Sequence, residues 1–208
     1  MVKKFFILWI LLSCLSLCYA QTLKPGDFLF QNLDCGALCD AIESVTHGRE
    51  NLKFSHIGMV VKQADSLLII EAIGEKVCYT SLYHFCKRNN NAIYLGRPNL
   101  PDSALLKITN YAQQQINTPY DDAFIYNNGK YYCSELFYDA FLKTGYPILQ
   151  LEPMTFKEPG KDIYFKAWIN YYKKLNMPIP EGKPGINPAG ISRCENLTWL
   201  GIYQYKSW

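Results

Sequence analysis

Cys133 has the sequence setting that a nucleophilic thiol needs. It stands at the predicted start of a helix whose apolar positions repeat at helical spacing and which ends before Gly145 and Pro147. Unpaired backbone N–H groups and the positive end of the macrodipole stabilise a thiolate at a helix start, and the thiolate is the attacking form of cysteine. A small buried side chain beneath a helix would occupy the same position, so location alone leaves both interpretations open.

A thiolate nucleophile needs a histidine, because imidazole titrates near neutrality and can pass a proton to the leaving group. The chain has three histidines. His47 lies in a polar loop and His84 between two aromatic residues, which favours surface and core positions for them. His56 stands at the head of an apolar run from Ser55 to Val61, where a strand would hold its ring in place. The alternative for His56 is a hydrogen-bonded structural residue.

Glu71 is the candidate for the group that fixes the imidazole tautomer. It follows four apolar residues, Leu67 to Ile70, and a carboxylate in such a run is unusual unless it has a partner. If the two apolar strands pair across the turn at residues 63–66, Glu71 can lie near His56. A glutamate on an edge strand facing solvent is the alternative.

Short strands and a few helices are predicted to position these residues. The predicted strands are Phe28 to Gln31, Ser55 to Val61, Leu67 to Ile73, Lys76 to Thr80, Ala92 to Gly96 and Leu197 to Tyr205. The predicted helices are Ala37 to Val45, Ser81 to Cys86, Pro101 to Ile116, the helix from Cys133, and Ile163 to Leu175. The three central strands are close together in the sequence, so an antiparallel meander is expected.

The first twenty residues predict export. Lys3 and Lys4 precede an apolar run from Phe5 to Leu12, and small residues follow up to Ala20, which is the pattern of a secretory signal. The run is shorter than the roughly 20 apolar residues of a transmembrane helix. Cleavage after Ala20 is preferred, whereas a lipidated Cys14 is the alternative. We therefore expect an exported protein, periplasmic or associated with the cell envelope.

The length and net charge of residues 21–208 limit the number of domains and the kinds of partner that we expect. Residues 21–208 are enough for one domain with a full core, and no second domain is required. The signal carries two lysines and no acid, so its removal lowers the formal net charge from +3 to +1. No strongly basic face is implied, and we expect no nucleic-acid partner. The oligomeric state cannot be deduced.

Besides Cys133, residues 21–208 contain the cysteines Cys35, Cys39, Cys78, Cys86 and Cys194. In an oxidising compartment cysteines can pair as disulfides. The spacing of Cys35 and Cys39, with His47 nearby, could suit a metal, but structural zinc needs four ligands and no fourth is close. A disulfide or two buried thiols is the favoured interpretation, and no metal or cofactor is expected.

Several short motifs together carry a family resemblance. They are Gly26-Asp27, Ser55-His56-Ile57-Gly58, Ile70-Glu71-Ala72, Thr118-Pro119-Tyr120-Asp121 and Tyr131-Tyr132-Cys133-Ser134-Glu135-Leu136. In this order they resemble the YiiX/YebB-like permuted papain family, relatives of the NlpC/P60 cysteine peptidases. The resemblance implies an α+β, circularly permuted papain-like fold with an antiparallel sheet packed against helices. It also implies a Cys-His-polar triad, which corresponds to Cys133, His56 and Glu71.

Members of that family look like amidases or ester hydrolases without a metal. We therefore expect an exported cysteine hydrolase that cleaves an amide or ester bond in a cell-envelope peptide or acylated substrate, with Tyr132, Tyr120 and Ser55 contacting the substrate. One alternative is an acyltransferase or lipase of the lecithin:retinol acyltransferase type, although that family usually has a second histidine where Glu71 stands. The others are a non-catalytic envelope-binding module and a disulfide-stapled binding protein in which Cys133 is bridged.

Overall fold

The structure is a computed structural model, and it describes residues 21–88 and 92–205. The predicted signal segment and the lipidation candidate Cys14 lie outside the described residues. Among those that are described, no helix is both long and apolar enough to cross a membrane.

A six-stranded antiparallel sheet forms the centre of the described chain. Its strands are β1 (Phe28–Gln31), β2 (His56–Gln63), β3 (Ser66–Ile73), β4 (Lys76–Ser81), β5 (Ile93–Pro98) and β8 (Leu197–Tyr203), in the order β4-β3-β2-β1-β5-β8. Strands β2, β3 and β4 form the predicted meander, and β8, which is also a predicted strand, pairs with β5. A separate two-stranded ribbon pairs β6 (Glu152–Pro153) with β7 (Pro184–Gly185).

Helices lie around the sheet. They are α1 (Ala37–Val45), α2 (Leu82–Lys87), α3 (Asp102–Gln114), α4 (Glu135–Lys143), α5 (Lys166–Leu175) and α6 (Pro188–Ser192), with a 3-10 turn at Arg49–Asn51. Four of the five predicted helices differ from their predicted bounds: α2 is shifted by one residue, and α4 begins at Glu135 and not at Cys133. Helix α3 ends at Gln114 because the chain turns there before Pro119, and α5 begins at Lys166 because Tyr164 instead forms a bridge with Lys157.

Both faces of the sheet are covered, which explains why β1 is buried along its whole length. Successive strand residues point to opposite faces. Phe28 and Phe30 therefore join the large core beneath α3 and α4, whereas Leu29 joins the smaller core on the other face. Phe28 and Phe137 of α4 are in direct ring contact, with centroids 5.3 Å apart. The packing of α4 on this face therefore fixes the distance between the N-terminus of α4 and the sheet.

Gly58 allows the second face to close tightly over β2. A Cβ atom at this position would lie 2.7 Å from the ring of Phe85 in α2 and 2.4 Å from Ile69 in β3. Real Cβ atoms do not approach other atoms so closely, so a larger residue would push α2 away from the sheet. The absence of a side chain at Gly58 thus allows α2, and Arg88 directly after it, to lie close to His56.

Candidate active site

Cys133 lies directly before the N-cap of α4, on a segment that is fixed by its neighbours. The hydroxyl oxygen of Tyr132 accepts a hydrogen bond from the backbone N–H of Ile186 at 3.0 Å. The hydroxyl of Ser134 donates to the carbonyl of the same residue at 2.8 Å. The side chains of Tyr132, Ser134 and Ile186 are all buried, and Cys133 itself is 7% exposed. The thiol is therefore held at the positive end of a helix, as the sequence predicts.

His56 and Glu71 meet on neighbouring strands. Strands β2 and β3 pair across the turn at residues 63–66. The last paired residues of the two strands are Met59 and Ile70, and Glu71 follows Ile70 directly. The imidazole Nε2 lies 2.6 Å from Glu71 Oε2, and both side chains are buried. Glu71 is thus a buried partner of His56 and not a glutamate facing solvent.

The thiol of Cys133 completes a chain of three hydrogen-bonded groups. Its side chain hydrogen-bonds to His56, and because Nε2 faces Glu71, Nδ1 is the ring nitrogen that remains for the sulfur. Burial disfavours the charged imidazolium, but hydrogen bonds and charge interactions with Cys133 and Glu71 outweigh burial and raise the pKa of His56 from 6.5 to about 9. The arrangement therefore favours a protonated imidazole beside the sulfur at neutral pH.

Arg88 and Thr80 hold the carboxylate of Glu71 from its other side. Arg88 donates from Nη2 to Oε1 at 2.5 Å and from Nη1 to Oε2 at 2.9 Å, and the hydroxyl of Thr80 also donates to Oε1. Burial would raise the pKa of Glu71, but hydrogen bonds from His56 and Arg88 and their charges lower it to about 2. Sequence reasoning missed Arg88, which follows α2 and stacks over Phe85 at 5.2 Å.

Glu135 is a second buried carboxyl near Cys133 that sequence reasoning did not single out. Its Oε1 accepts from the backbone N–H of Asn127 at 2.9 Å, and its Oε2 has no hydrogen-bond partner among the described residues. Burial, opposed by the hydrogen bond from Asn127, raises the pKa of Glu135 to about 8. The group is thus mainly protonated at neutral pH, and it anchors the loop that carries Phe124.

The three predicted substrate contacts all lie beside the sulfur and the imidazole. The ring of Tyr120 packs edge-on against Phe124, with centroids 6.5 Å apart. Burial first, and then the charge of Cys133, raise the pKa of Tyr120 well above its usual value, so its phenol stays a hydrogen-bond donor. The Ser55 hydroxyl accepts from the backbone N–H of Leu33 at 2.8 Å. The hydroxyls of Ser55 and Tyr132 therefore already have partners, whereas their role in substrate contact stays a prediction.

These residues line a cleft with a volume of about 270 Å³. Cys133 and His56 are part of its wall, together with mainly apolar side chains from α1, α5 and the β6–β7 ribbon. The aromatic segment 164–168 contributes Trp168 to the wall. A larger groove of about 410 Å³ lies next to it and shares the segment 185–187, but no thiol–imidazole pair lines that groove, so the smaller cleft is the candidate active site.

The cysteines beyond Cys133 sort into a disulfide and free thiols. Cys35 and Cys39 form a disulfide, which confirms the favoured interpretation of this pair over a metal site. Cys133 is free, so the alternative of a stapled binding protein with a bridged Cys133 is wrong. Cys78, Cys86 and Cys194 are also free, and each is half-buried.

Comparison with known proteins identifies the family. The family described as "Permuted papain-like amidase enzyme, YaeF/YiiX, C92 family" matches residues 22–201. A curated protein of Escherichia coli K12, "Uncharacterized protein YiiX", is 27% identical over 126 residues, which are 59% of this chain and 59% of that protein. The chain thus spans less than two thirds of this relative's length.

A solved structure gives the same fold. It is titled "Crystal structure of metalloprotein yiiX from Escherichia coli O157:H7, DUF1105", and it superposes with a TM-score of 0.73 at 22% identity, covering 86% of this chain and 97% of the other. The predicted α+β, permuted papain-like fold and the predicted family resemblance are both confirmed. A cysteine-hydrolase role of the amidase type is the general activity that this family supports. The chain belongs to the C92 family of permuted papain-like amidases, the YaeF/YiiX group.

Proposed function

We propose that this protein is an exported cysteine hydrolase that cleaves an amide or ester bond in a cell-envelope peptide or acylated molecule. The observation that carries the proposal is the hydrogen-bonded series Cys133, His56 and Glu71, in which a free thiol faces an imidazole that is itself paired with a buried carboxylate. This series supplies a nucleophile, a proton carrier and an orienting group in the order that acyl transfer requires.

The reaction begins when the Cys133 thiolate attacks the carbonyl carbon. A sulfur–carbon bond forms, the carbonyl oxygen becomes an oxyanion, and its charge is stabilised by backbone N–H groups at the start of α4 and by the phenol of Tyr120. Each well-placed donor of this kind is worth on the order of 3 kcal/mol in the transition state. The carbon–nitrogen or carbon–oxygen bond then breaks, and the proton on His56 passes to the leaving group.

Water completes the cycle. Neutral His56 takes a proton from the water as its oxygen adds to the acyl carbon, and the sulfur–carbon bond breaks to release the carboxylic acid. Glu71, held by Arg88, keeps the imidazole oriented during both proton transfers and stabilises its charged form. The mechanism therefore uses residues of this chain only.

The residues that the structure describes do not form a metal site. The solved relative is titled a metalloprotein. Across residues 21–88 and 92–205, however, no group of three or more His, Cys, Asp or Glu side chains is arranged to hold a metal ion. No step of the proposed reaction therefore involves a metal.

The test is hydrolysis of an activated amide and an activated ester by the purified protein and by two cysteine variants. Cys133→Ser should lose hydrolysis of both substrates and lose the fast phase of labelling by iodoacetamide at neutral pH, while its circular dichroism stays that of the wild type. Cys194→Ser is the matched control, because this thiol is free and lies in a different groove. Hydrolysis or fast labelling that survives in Cys133→Ser, or that disappears in Cys194→Ser, would contradict the proposal.

A further inference from the structure

The β6–β7 ribbon ends at the edge of the larger groove. Its last pair on this side is Glu152 with Gly185. Beyond this pair the chain turns into α6 at Asn187, whose side chain caps the helix by accepting from the backbone N–H of Gly190 at 2.7 Å. The segment 148–151 therefore has no neighbouring strand, and the groove lies between it and the start of α6.

Gln150 is the position at which the ribbon would continue. Hydrogen-bonded pairs alternate with non-bonded pairs along an antiparallel ladder. Met154 donates its backbone N–H to the carbonyl of Lys183 at 2.9 Å, so Glu152 and then Gln150 are the next bonding positions on this edge. Within the described part of the chain, neither the backbone N–H nor the carbonyl of Gln150 has a hydrogen-bond partner. Gln150 is exposed and lines the groove, so it offers one donor and one acceptor to a ligand there.

The groove is tied to the segment that carries Cys133. Ile186 lines both the groove and the cleft of the candidate active site. Its backbone N–H donates to the hydroxyl of Tyr132, and its carbonyl accepts from the hydroxyl of Ser134, so it holds both neighbours of Cys133. A chain that is bound in the groove and continues past Ile186 therefore enters the cleft at the sulfur.

The charges of the groove favour an uncharged ligand that forms hydrogen bonds. Its charged side chains are two carboxylates, Glu152 and Glu195, and one guanidinium, Arg193. Arg193 already lies 3.8 Å from Glu152, so a phosphate or another anion would find two carboxylates and no free cation among the described residues of the wall. An apolar chain would take water from the amides of Gln150 and Asn196 without replacing their hydrogen bonds.

The remaining neutral ligands are a peptide and a glycan, and the groove favours the peptide. None of the described residues that line it is aromatic, so a sugar ring has no side chain on which to stack. A peptide backbone carries one donor and one acceptor in each residue, as the free edge at Gln150 requires. Peptides that add a strand to a free edge gain affinity from these main-chain hydrogen bonds.

We infer that the larger groove binds a peptide segment of the substrate as an added strand beside Gln150, and that this segment leads past Ile186 to the bond that Cys133 attacks. The inference rests on the proposed function, since it assigns the class of molecule that carries this bond. At a rise of about 3.3 Å per residue, the edge at 148–152 accommodates about four or five peptide residues. The part of the substrate that lies in the groove is thus a short peptide.

The test is an NMR titration of 15N-labelled Cys133→Ala with acetyl-tetraalanine amide. We expect saturable shifts of the backbone amides of Gln150, Glu152 and Asn187, and none at residues 157–162, which line a separate cavity. Shifts that do not saturate, or that are confined to other surfaces, overturn the inference. Saturable binding of chitotriose without binding of the peptide makes the groove a glycan site and also overturns it.

Two variants of Gln150, each combined with Cys133→Ala, separate main-chain from side-chain binding. Gln150→Pro removes the backbone N–H and should weaken peptide binding about two- to tenfold, the loss expected for one hydrogen bond. Gln150→Ala is the matched control, because it keeps the N–H, and it should bind the peptide as Cys133→Ala alone does. Equal weakening in both variants refutes strand addition. If Gln150→Pro does not fold, a peptide that is N-methylated at every residue replaces it, with at least the same weakening expected.

Kinetics separate this inference from the proposed function. With the wild type, the peptide should raise the KM for the activated ester and leave kcat unchanged, because both molecules reach Cys133. Peptide binding without this effect on KM overturns the inference. Cys133-dependent hydrolysis without peptide binding also overturns it and leaves the hydrolase intact. Peptide binding without Cys133-dependent hydrolysis of any substrate overturns the hydrolase and leaves a peptide site, and absence of both overturns both.

Discussion

Replacing Glu71 by glutamine tests the coupling between the carboxylate and the imidazole. The variant keeps the shape of the side chain and removes its charge. The pKa of His56 is raised from 6.5 to about 9. At about 1.4 kcal/mol per pKa unit, this shift corresponds to a stabilisation of the imidazolium by about 3 kcal/mol. Cys133 and Glu71 both contribute to this stabilisation. We expect Glu71→Gln to remove at least about 1.4 kcal/mol of this stabilisation, which lowers the pKa of His56 by about one unit or more.

The sign of the effect on stability follows from the direction of the shift. Because the folded pKa of His56 is raised, its contribution to the free energy of unfolding is fully present below pH 6.5 and is lost as the pH rises through about 9. Glu71 has a folded pKa lowered to about 2, so its contribution is present above pH 4.5 and is lost as the pH falls through about 2. Glu71→Gln should therefore be less stable than the wild type throughout the neutral range.

The assay is an NMR titration of protein labelled with 13C at its histidines. The chain has three histidines, and His84→Gln and His47→Gln variants assign the two outside the site. Because His56 and Cys133 interact, the pKa observed for the His56 ring belongs to the pair and not to the imidazole alone. Glu158→Gln is the control, because the carboxylate of Glu158 lies at the surface and forms an ion pair with Lys161, 2.7 Å away. An unchanged His56 titration in Glu71→Gln would refute the assigned coupling.

Two further variants test the elements that position the site. Arg88→Ala removes both hydrogen bonds from the guanidinium to Glu71, which leaves the carboxylate less firmly held beside the imidazole, so we expect a lower kcat/KM, measured as above. Gly58→Ala places a Cβ atom against Phe85, so we expect a loss of about 1–3 kcal/mol in the free energy of unfolding, measured by urea denaturation; wild-type stability in this variant would contradict the tight packing of α2 on β2.

The elements that carry Cys133, His56 and Glu71 could be predicted because their signals are local. The apolar run at Phe28–Gln31 follows a Pro-Gly turn, and the structure gives this strand the predicted bounds. The meander could be predicted because two short turns separate three apolar runs, which leaves antiparallel pairing as the simple arrangement. The pairing of His56 with Glu71 then follows from the register of two adjacent strands.

Arg88 and the cleft walls could not be predicted, because their contacts join segments that have no local pattern in common. Arg88 is a partly exposed arginine after a short helix, and nothing near it indicates a partner seventeen positions earlier. The available signal was Glu71 itself, since a buried carboxylate has two oxygens and one imidazole satisfies only one of them. Likewise the sequence predicts α1 with its observed bounds, but not that Ala41 packs against Trp168 of α5.

Trapping the acyl-enzyme tests the central claim most directly. The protein is mixed with a p-nitrophenyl ester, quenched with acid within one turnover, digested and analysed by mass spectrometry. The account predicts one acyl group on the peptide that contains Cys133, and none on the peptides that contain Cys78, Cys86 or Cys194. An acyl group on another residue, or hydrolysis that proceeds while Cys133 stays unmodified, would contradict it.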